Sequence, residues 1–318
     1  MLGELELLST SYSAYAFVVL LGLLWGSFAN VCIYRWPPSD EFPKGRSVVK
    51  PGSHCFACKT EIRWYDNVPL LAWLWLRGKC RSCKAPFSPR YLIVEAVTGA
   101  LFGVAWWMTV TAGVWWGEPF DQRLIRFAIY ATFCVVMVVI TFIDLDHKLI
   151  LNKVTIPSII GFYVLGVLLL PERTWYDGLI GVVVGYGLPW TIGEIYYRVT
   201  GRDGLGLGDS MLLAVIGALL GWKGVAVALF GGSVVGSVIG IAALAIARRR
   251  GDPSGRASEN PDNLEPPASE TAPEPAEGDS PPSLMRTELP FGPFLAIAAV
   301  FYLFAEPWIQ LNFRLPGG

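Results

Sequence analysis

Two aspartates and four cysteines carry most of the chemistry that residue type and spacing offer in this chain. Asp144 closes an apolar run, in Thr141-Phe142-Ile143-Asp144-Leu145-Asp146-His147-Lys148. Asp209 opens another, in Gly204-Leu205-Gly206-Leu207-Gly208-Asp209-Ser210. A carboxylate costs ~2.5–3.5 kcal/mol at the centre of a membrane helix and less toward its ends. Two such carboxylates at one depth suggest a dyad: like charges held close cannot both ionise easily, so one keeps its proton. The ionised member can then take a proton from water while the protonated one polarises a carbonyl. The plainer alternative is that Asp144 marks a membrane boundary and Asp209 caps a helix N-terminus, where an anion is favoured. The alternating glycines, Gly206 and Gly208 included, allow close backbone approach and weigh toward the dyad. Spacing leaves Asp146 in competition with Asp144.

Cys55-x2-Cys58 and Cys80-x2-Cys83 are separated by 21 residues. Two such turns can bring four thiolates tetrahedrally around one Zn2+. Lys59 after the first pair, and Gly78 and Lys79 before the second, suit the site, because nearby cations lower thiol pKa values. A pair of disulfides or redox centres is the alternative, and a reducing compartment argues against it. His54 could replace one ligand but reads better as a bystander. Cys32 and Cys134 lie within apolar runs and read as small packing residues.

The elements that must position these groups are membrane helices. The chain has 318 residues, 53% hydrophobic and 16% charged, with its apolar residues in long uninterrupted runs; about 20 such residues cross a bilayer as a helix. The runs fall at 12–33, 91–116, 124–143, 156–170, 176–195, 211–247 and 290–308. The sixth is too long for one crossing and is interrupted by Gly221-Trp222-Lys223-Gly224, which predicts a tight turn between two spans. The expectation is therefore an all-α polytopic membrane protein of about eight transmembrane helices, or seven if the short first half of that run does not cross.

Segment 34–90 holds eleven Lys and Arg residues against four acidic ones, so it is expected to be cytoplasmic. Alternation then places Asp144 and Asp209 at the same face, and 117–123 and 171–173 outside. The first ten residues contain Glu4 and Glu6 but no Lys or Arg, unlike a cleavable secretory signal. Segment 251–288 is rich in Pro, Ser, Glu and Ala and reads as a disordered cytoplasmic linker. The organisation expected is a first transmembrane helix (12–33), a cytoplasmic zinc loop (34–90), a transmembrane core (91–247), the linker and a last transmembrane helix (289–310). Membrane lipid is an expected partner and nucleic acid is not.

In this order and spacing, the motifs resemble the bacterial type IV prepilin leader peptidases. The resemblance is carried by Gly26-Ser27-Phe28-Ala29-Asn30-Val31-Cys32-Ile33-Tyr34-Arg35, the two Cys-x-x-Cys turns, Ile143-Asp144, Gly206-Leu207-Gly208-Asp209 and Leu289-Pro290-Phe291-Gly292-Pro293-Phe294. It implies a bifunctional inner-membrane enzyme. Such proteins remove the leader of type IV prepilins or type II secretion pseudopilins at the cytoplasmic face. They then methylate the new N-terminus with S-adenosylmethionine. The resemblance maps the catalytic pair to Asp144 and Asp209, with Gly206 and Gly208 as motif support. It also implies a role for segment 26–35 and the zinc loop in methyl transfer, with Gly26, Ser27, Asn30, Arg35 and Glu95 as candidates. Glu95 could bind the amine or simply mark a membrane boundary. Two positions depart from the family pattern: Ile150-Leu151-Asn152 lacks a common proline, and Met211 stands where a Lys is common. Neither touches a carboxylate.

Three rivals stand beside this reading. They are a peptidase without methyl transfer, a non-enzymatic scaffold docking partners through the zinc loop, and a transporter using both aspartates as a proton relay. Transport would call for inverted-repeat symmetry of the spans, and none is visible.

Overall fold

The computed structural model describes residues 6, 8–111, 114–201, 206–249 and 290–313. Gly204, Leu205 and the 251–288 linker lie outside the described residues. In hydrocarbon every backbone polar group must be satisfied internally, which apolar runs of this length achieve only as helices. The described residues accordingly contain no strand, only two isolated bridges. The helices are α1 (Tyr12–Arg35), a short α2 (Leu71–Trp75), α3 (Arg90–Trp106), α4 (Phe120–His147), α5 (Asn152–Leu169), α6 (Trp175–Thr200), α7 (Leu207–Arg249) and α8 (Gly292–Phe313). The run expected at 91–116 is a helix only to Trp106; it loosens into a π turn at Trp107–Thr111 and a separate 3-10 turn at Val114–Gly117.

Among the described residues seven helices are long and apolar enough to cross a membrane, and the chain is a multi-pass membrane protein. The expected count of eight depends on α7, which is broken at Gly221 (φ 67, ψ −174). Residues 222–224, expected within the turn, are helical, so the break is confined to one glycine. Contacts on its two sides run in opposite directions. Before the break, α7 lies antiparallel to α6, with Leu213 against Gly185, Gly217 against Gly181 and Gly221 beside Asp177. After it, Gly231 faces Ala298, Gly232 faces Leu295 and Gly236 faces Phe294 near the start of α8. The chain therefore reverses at Gly221, and the sixth of the seven candidate spans consists of two antiparallel arms.

Small residues set the closest approaches, as is usual where lipid removes the hydrophobic incentive for helices to associate. Gly217 and Gly181 meet backbone to backbone, leaving no room for a side chain at either. A Cβ on Gly26 of α1 would stand 2.7 Å from the Glu95 Cα of α3. The end of the bundle remote from Asp144 is tied by buried ions. Arg123 and Arg126 are 1% and 0% exposed. Arg126 donates to both Glu118 oxygens at 2.9 Å and pairs with Glu172, Arg123 pairs with Glu6, and Arg173 pairs with Glu306. Arg173 also donates to Leu220 O at 3.4 Å, satisfying a carbonyl at the Gly221 break.

Substitution on α6 and α7 should separate close packing from helix propensity. Gly217→Ala forces the two backbones apart and should lower the unfolding temperature in detergent, by the equivalent of ~1–3 kcal/mol. Gly187→Ala, with nothing within 4 Å of the added methyl, should leave it unchanged or raise it slightly. Equal effects would contradict this packing.

Candidate functional site

Asp144 sits in the last turn of α4 and is 6% exposed. The helix stops just beyond it, where Lys148 adopts a left-handed conformation and returns its N–H to Asp144 O at 2.8 Å. The N-terminus of α8 closes over the carboxylate: a Cβ added to Gly292 would stand 2.5 Å from Asp144 Oδ2. Asp209 lies in the first turn of α7, its N–H bonded to Gly206 O at 3.1 Å. Helix α7 thus begins at Leu207, four residues before the run read from sequence. Ile150 lies beside both halves: a Cβ added to Gly208 would stand 3.1 Å from Ile150 Cβ, and one added to Gly292 would stand 3.5 Å from Ile150 Cδ1. The carboxylates are near enough to interact electrostatically.

Asp146, the sequence competitor, points elsewhere and is ion-paired with Arg90 at the start of α3. Among the described residues neither Asp144 nor Asp209 has a cationic partner of that kind. Asp144 Oδ2 and the Ser210 hydroxyl are buried without a hydrogen-bond partner in the protein. The arrangement offers two acids, Asp144 enclosed and Asp209 partly buried.

The four cysteines converge as the spacing suggested: their sulfurs all lie within 4.8 Å of one another. Both turns have the same build. Cys55 N bonds to Thr60 O and Lys59 N to Cys55 O; Cys80 N bonds to Ala85 O and Lys84 N to Cys80 O. Lys59 and Lys84 are both left-handed, with φ 59 and 61. The Thr60 hydroxyl, 3.3 Å from Cys58 Sγ, and the Thr60 N–H pull that thiol down to about 6. The Cys83 and Ser82 N–H groups lower Cys80. Cys83, although offered the Ala85 N–H, is pushed up to about 11 by burial and its neighbouring sulfurs. Four thiolates cannot share this volume without a cation, and the donor set suits a soft divalent metal. His54 stands outside the cluster, its Nδ1 3.1 Å from Gly52 O, and Cys32 and Cys134 are buried packing residues.

Of the remaining candidates, Ser27, Asn30, Arg35 and Glu95 line one cavity between α1, α3 and the four-cysteine loop. Gly26 does not; it serves the α1–α3 contact that brings Glu95 forward. Arg35 braces the loop by donating to Ser47 O at 3.0 Å and Gly52 O at 3.3 Å. Three participants escaped the sequence reading. Gly292 carried a signal, since it sits in a Phe-Gly-Pro helix start, but no pattern says that it meets Asp144. Ile150 carried none, because an isolated apolar residue in a loop is ordinary, and neither did Trp73, one of several apolar residues of α2 that happens to line the cavity.

Residues 20–109 match the bacterial peptidase A24 N-terminal domain, and residues 131–241 match the type IV leader peptidase family. Several proteins named prepilin leader peptidase/N-methyltransferase are similar along much of the chain. That of Aeromonas hydrophila is 37% identical, covering 71% of this chain and 80% of the relative. That of Myxococcus xanthus is 31% identical, covering 92% and 91%. That of Neisseria gonorrhoeae is 34% identical, covering 72% and 82%. No solved structure matches. With both domain models matched in order and relatives aligned over nearly their full length, the chain belongs to the type IV leader peptidase family.

Proposed function

We propose that this chain is an aspartic endopeptidase of the bacterial cytoplasmic membrane that removes the leader of type IV prepilins or type II secretion pseudopilins. The observation that carries it is the closure of Gly292 over the buried Asp144 carboxylate, with Asp209 within electrostatic range. One carboxylate takes a proton from water as the water attacks the scissile carbonyl, while the other, protonated, donates to the carbonyl oxygen. Proton transfer back to the departing nitrogen completes cleavage. The Arg90 ion pair on Asp146 favours Asp144 as the working member. The two aspartates and the four-cysteine loop occupy the end that carries segment 34–90 with its eleven Lys and Arg residues, which favours the cytoplasmic side.

In the same reading the loop carries a structural Zn2+. With Zn–S bonds of ~2.3 Å, a tetrahedral site has sulfurs ~3.8 Å apart. Here Cys55 and Cys83 are 3.7 Å apart and Cys58 and Cys80 3.9 Å. The metal's role is to hold the two turns together, while Arg35 of α1 and Glu95 of α3 tie the loop to the helices. The names of the relatives support a second activity, N-methylation of the newly exposed amine with S-adenosylmethionine.

Co-expression with a prepilin, read by gel shift for leader removal and by mass for methylation, tests both activities. Asp144→Asn and Asp209→Asn should abolish cleavage with membrane insertion intact, whereas Asp146→Asn should retain most of it. Retention in Asp144→Asn with loss in Asp146→Asn would reverse the assignment. Gly292→Ala, whose methyl would displace the Asp144 carboxylate, should slow cleavage roughly 10- to 100-fold. Purified protein should carry about one zinc per chain. Serine at Cys55, Cys58, Cys80 or Cys83 should lower that content and raise protease sensitivity across 34–90, because metal binding is folding energy for such a loop. A metal-free protein with a protected loop would exclude a structural metal.

A further inference from the structure

The five residues of α2, Leu71-Ala72-Trp73-Leu74-Trp75, are all apolar. Ala72 and Trp73 turn inward and, with Leu76, line the cavity under the four-cysteine loop. Leu71, Leu74 and Trp75 share the other face, at i, i+3 and i+4. They are 66%, 58% and 84% exposed, and Trp64, in the 3-10 turn (Trp64–Asn67) that packs against α2, is 82% exposed. A helix apolar all round is ordinarily covered on every side. Here one side is left without a cover among the described residues.

The depth of α2 identifies the cover. The Leu70 N–H at its start donates to Glu95 Oε2 at 2.8 Å. Glu95 lies five residues, about 7 Å, inside the start of α3 at Arg90. Gly26 of α1, which faces Glu95, is nine residues, about 13 Å, short of the α1 end at Arg35. α2 is therefore set beside two membrane spans, inward of their ends. At the same level α3 exposes Ile93 and Val97, so the apolar face of α2 continues a surface that a membrane span presents to lipid. The charges agree with this placement. Between residues 62 and 89, Arg63, Arg77, Lys79, Arg81 and Lys84 stand against a single acid, Asp66. Asp66 is taken by Arg81, whose two nitrogens bond it at 2.5 to 3.1 Å. Arg63, Arg77 and Lys79 are exposed and flank the apolar face along the chain. Trp beside Lys and Arg is the composition of a membrane–water interface, where indole rings sit at headgroup level and cations meet lipid phosphates.

We propose that α2 and Trp64 form an interfacial lipid anchor. Leu71, Leu74, Trp75 and Trp64 enter the acyl–headgroup boundary of the bilayer, and Arg63, Arg77 and Lys79 meet the phosphates of anionic phospholipids. Part of a loop expected in the aqueous phase is then an element of the membrane surface. Lipid holds α2 from outside while Glu95 holds its start from within the bundle, which fixes the Ala72 and Trp73 wall of the cavity. The inference depends on neither the peptidase nor the methylation reading.

Full-length, zinc-loaded protein in bilayers of phosphatidylcholine mixed with an equal part of phosphatidylglycerol tests this. Photoreactive p-benzoylphenylalanine is placed singly at Leu71, Leu74 or Trp75 and, for reference, at Val97 of α3. Illumination should attach phospholipid, read by mass, at all three α2 positions as at Val97. The adducts should be enriched about fivefold in phosphatidylglycerol, and Arg63→Gln with Arg77→Gln should return that ratio to the bilayer's own. Zinc content and unfolding temperature show whether each labelled protein is folded. Trp75→Phe reads the same contact with a conservative change. The emission it removes should be quenched by bromine-labelled acyl chains and not by aqueous acrylamide. Lipid adducts at Val97 with none on α2, and a Trp75 open to acrylamide, would overturn the proposal. Adducts from α2 to a co-reconstituted prepilin in place of lipid would make this face a substrate dock, and adducts to a second copy of the chain a dimer interface; either result overturns it. Lipid adducts without phosphatidylglycerol enrichment would overturn the part given to the basic residues.

Discussion

The closeness of the first arm of α7 to α6 governs the end of the molecule where the aspartates lie. Gly217 meets Gly181 backbone to backbone, and such contacts fix both the separation and the axial register of two helices in lipid. The arm 207–220 is short, so its register decides how deep Asp209 sits. The reversal at Gly221 then returns the second arm toward the Asp144 end, where Gly232 and Gly236 seat the start of α8. The position of Gly292 over Asp144 follows from that seating. A side chain at 217 would disturb not a distant surface but the relation among three catalytic-end elements.

Charge is handled in opposite ways at the two ends. At the end remote from the dyad, Arg123, Arg126 and Arg173 are buried or nearly so, and each meets a carboxylate. Breaking such a pair would leave an uncompensated ion at a cost of ~3–5 kcal/mol. At the other end Asp146 is neutralised by Arg90, whereas Asp144 and Asp209 are left to each other. A structural carboxylate is given a cation. In the proposed reading, a pair that shares a proton gains from having none, because a strong cation would hold both members ionised.

The four-cysteine loop and the membrane helices form one assembly through specific ties. Arg35 holds Ser47 O and Gly52 O, Lys153 of α5 reaches Trp36 O and Lys44 O, and the Leu70 N–H rests on Glu95. These bonds shape a cavity whose floor belongs to α1 and α3 and whose roof belongs to the loop. Neither Asp144 nor Asp209 lines that cavity.

The apolar runs determined by themselves that the described chain is helical and crosses the membrane repeatedly, since hydrocarbon leaves the backbone no other way to satisfy its polar groups. Cysteine spacing likewise determined the four-sulfur cluster, because each turn of the pair is local and needs little from the rest of the fold. Motif resemblance singled out Asp144 and Asp209. Tertiary structure alone decided that Asp146 is occupied by Arg90, that Gly292 lies over Asp144 with Ile150 beside it, and that Gly26 supports the Glu95 cavity without lining it. It also decided that Gly221 alone, not a four-residue turn, reverses α7. Those outcomes depend on which residues meet across helices far apart in the chain. Helical periodicity specifies the face a side chain occupies, but it does not specify the neighbour that face will meet.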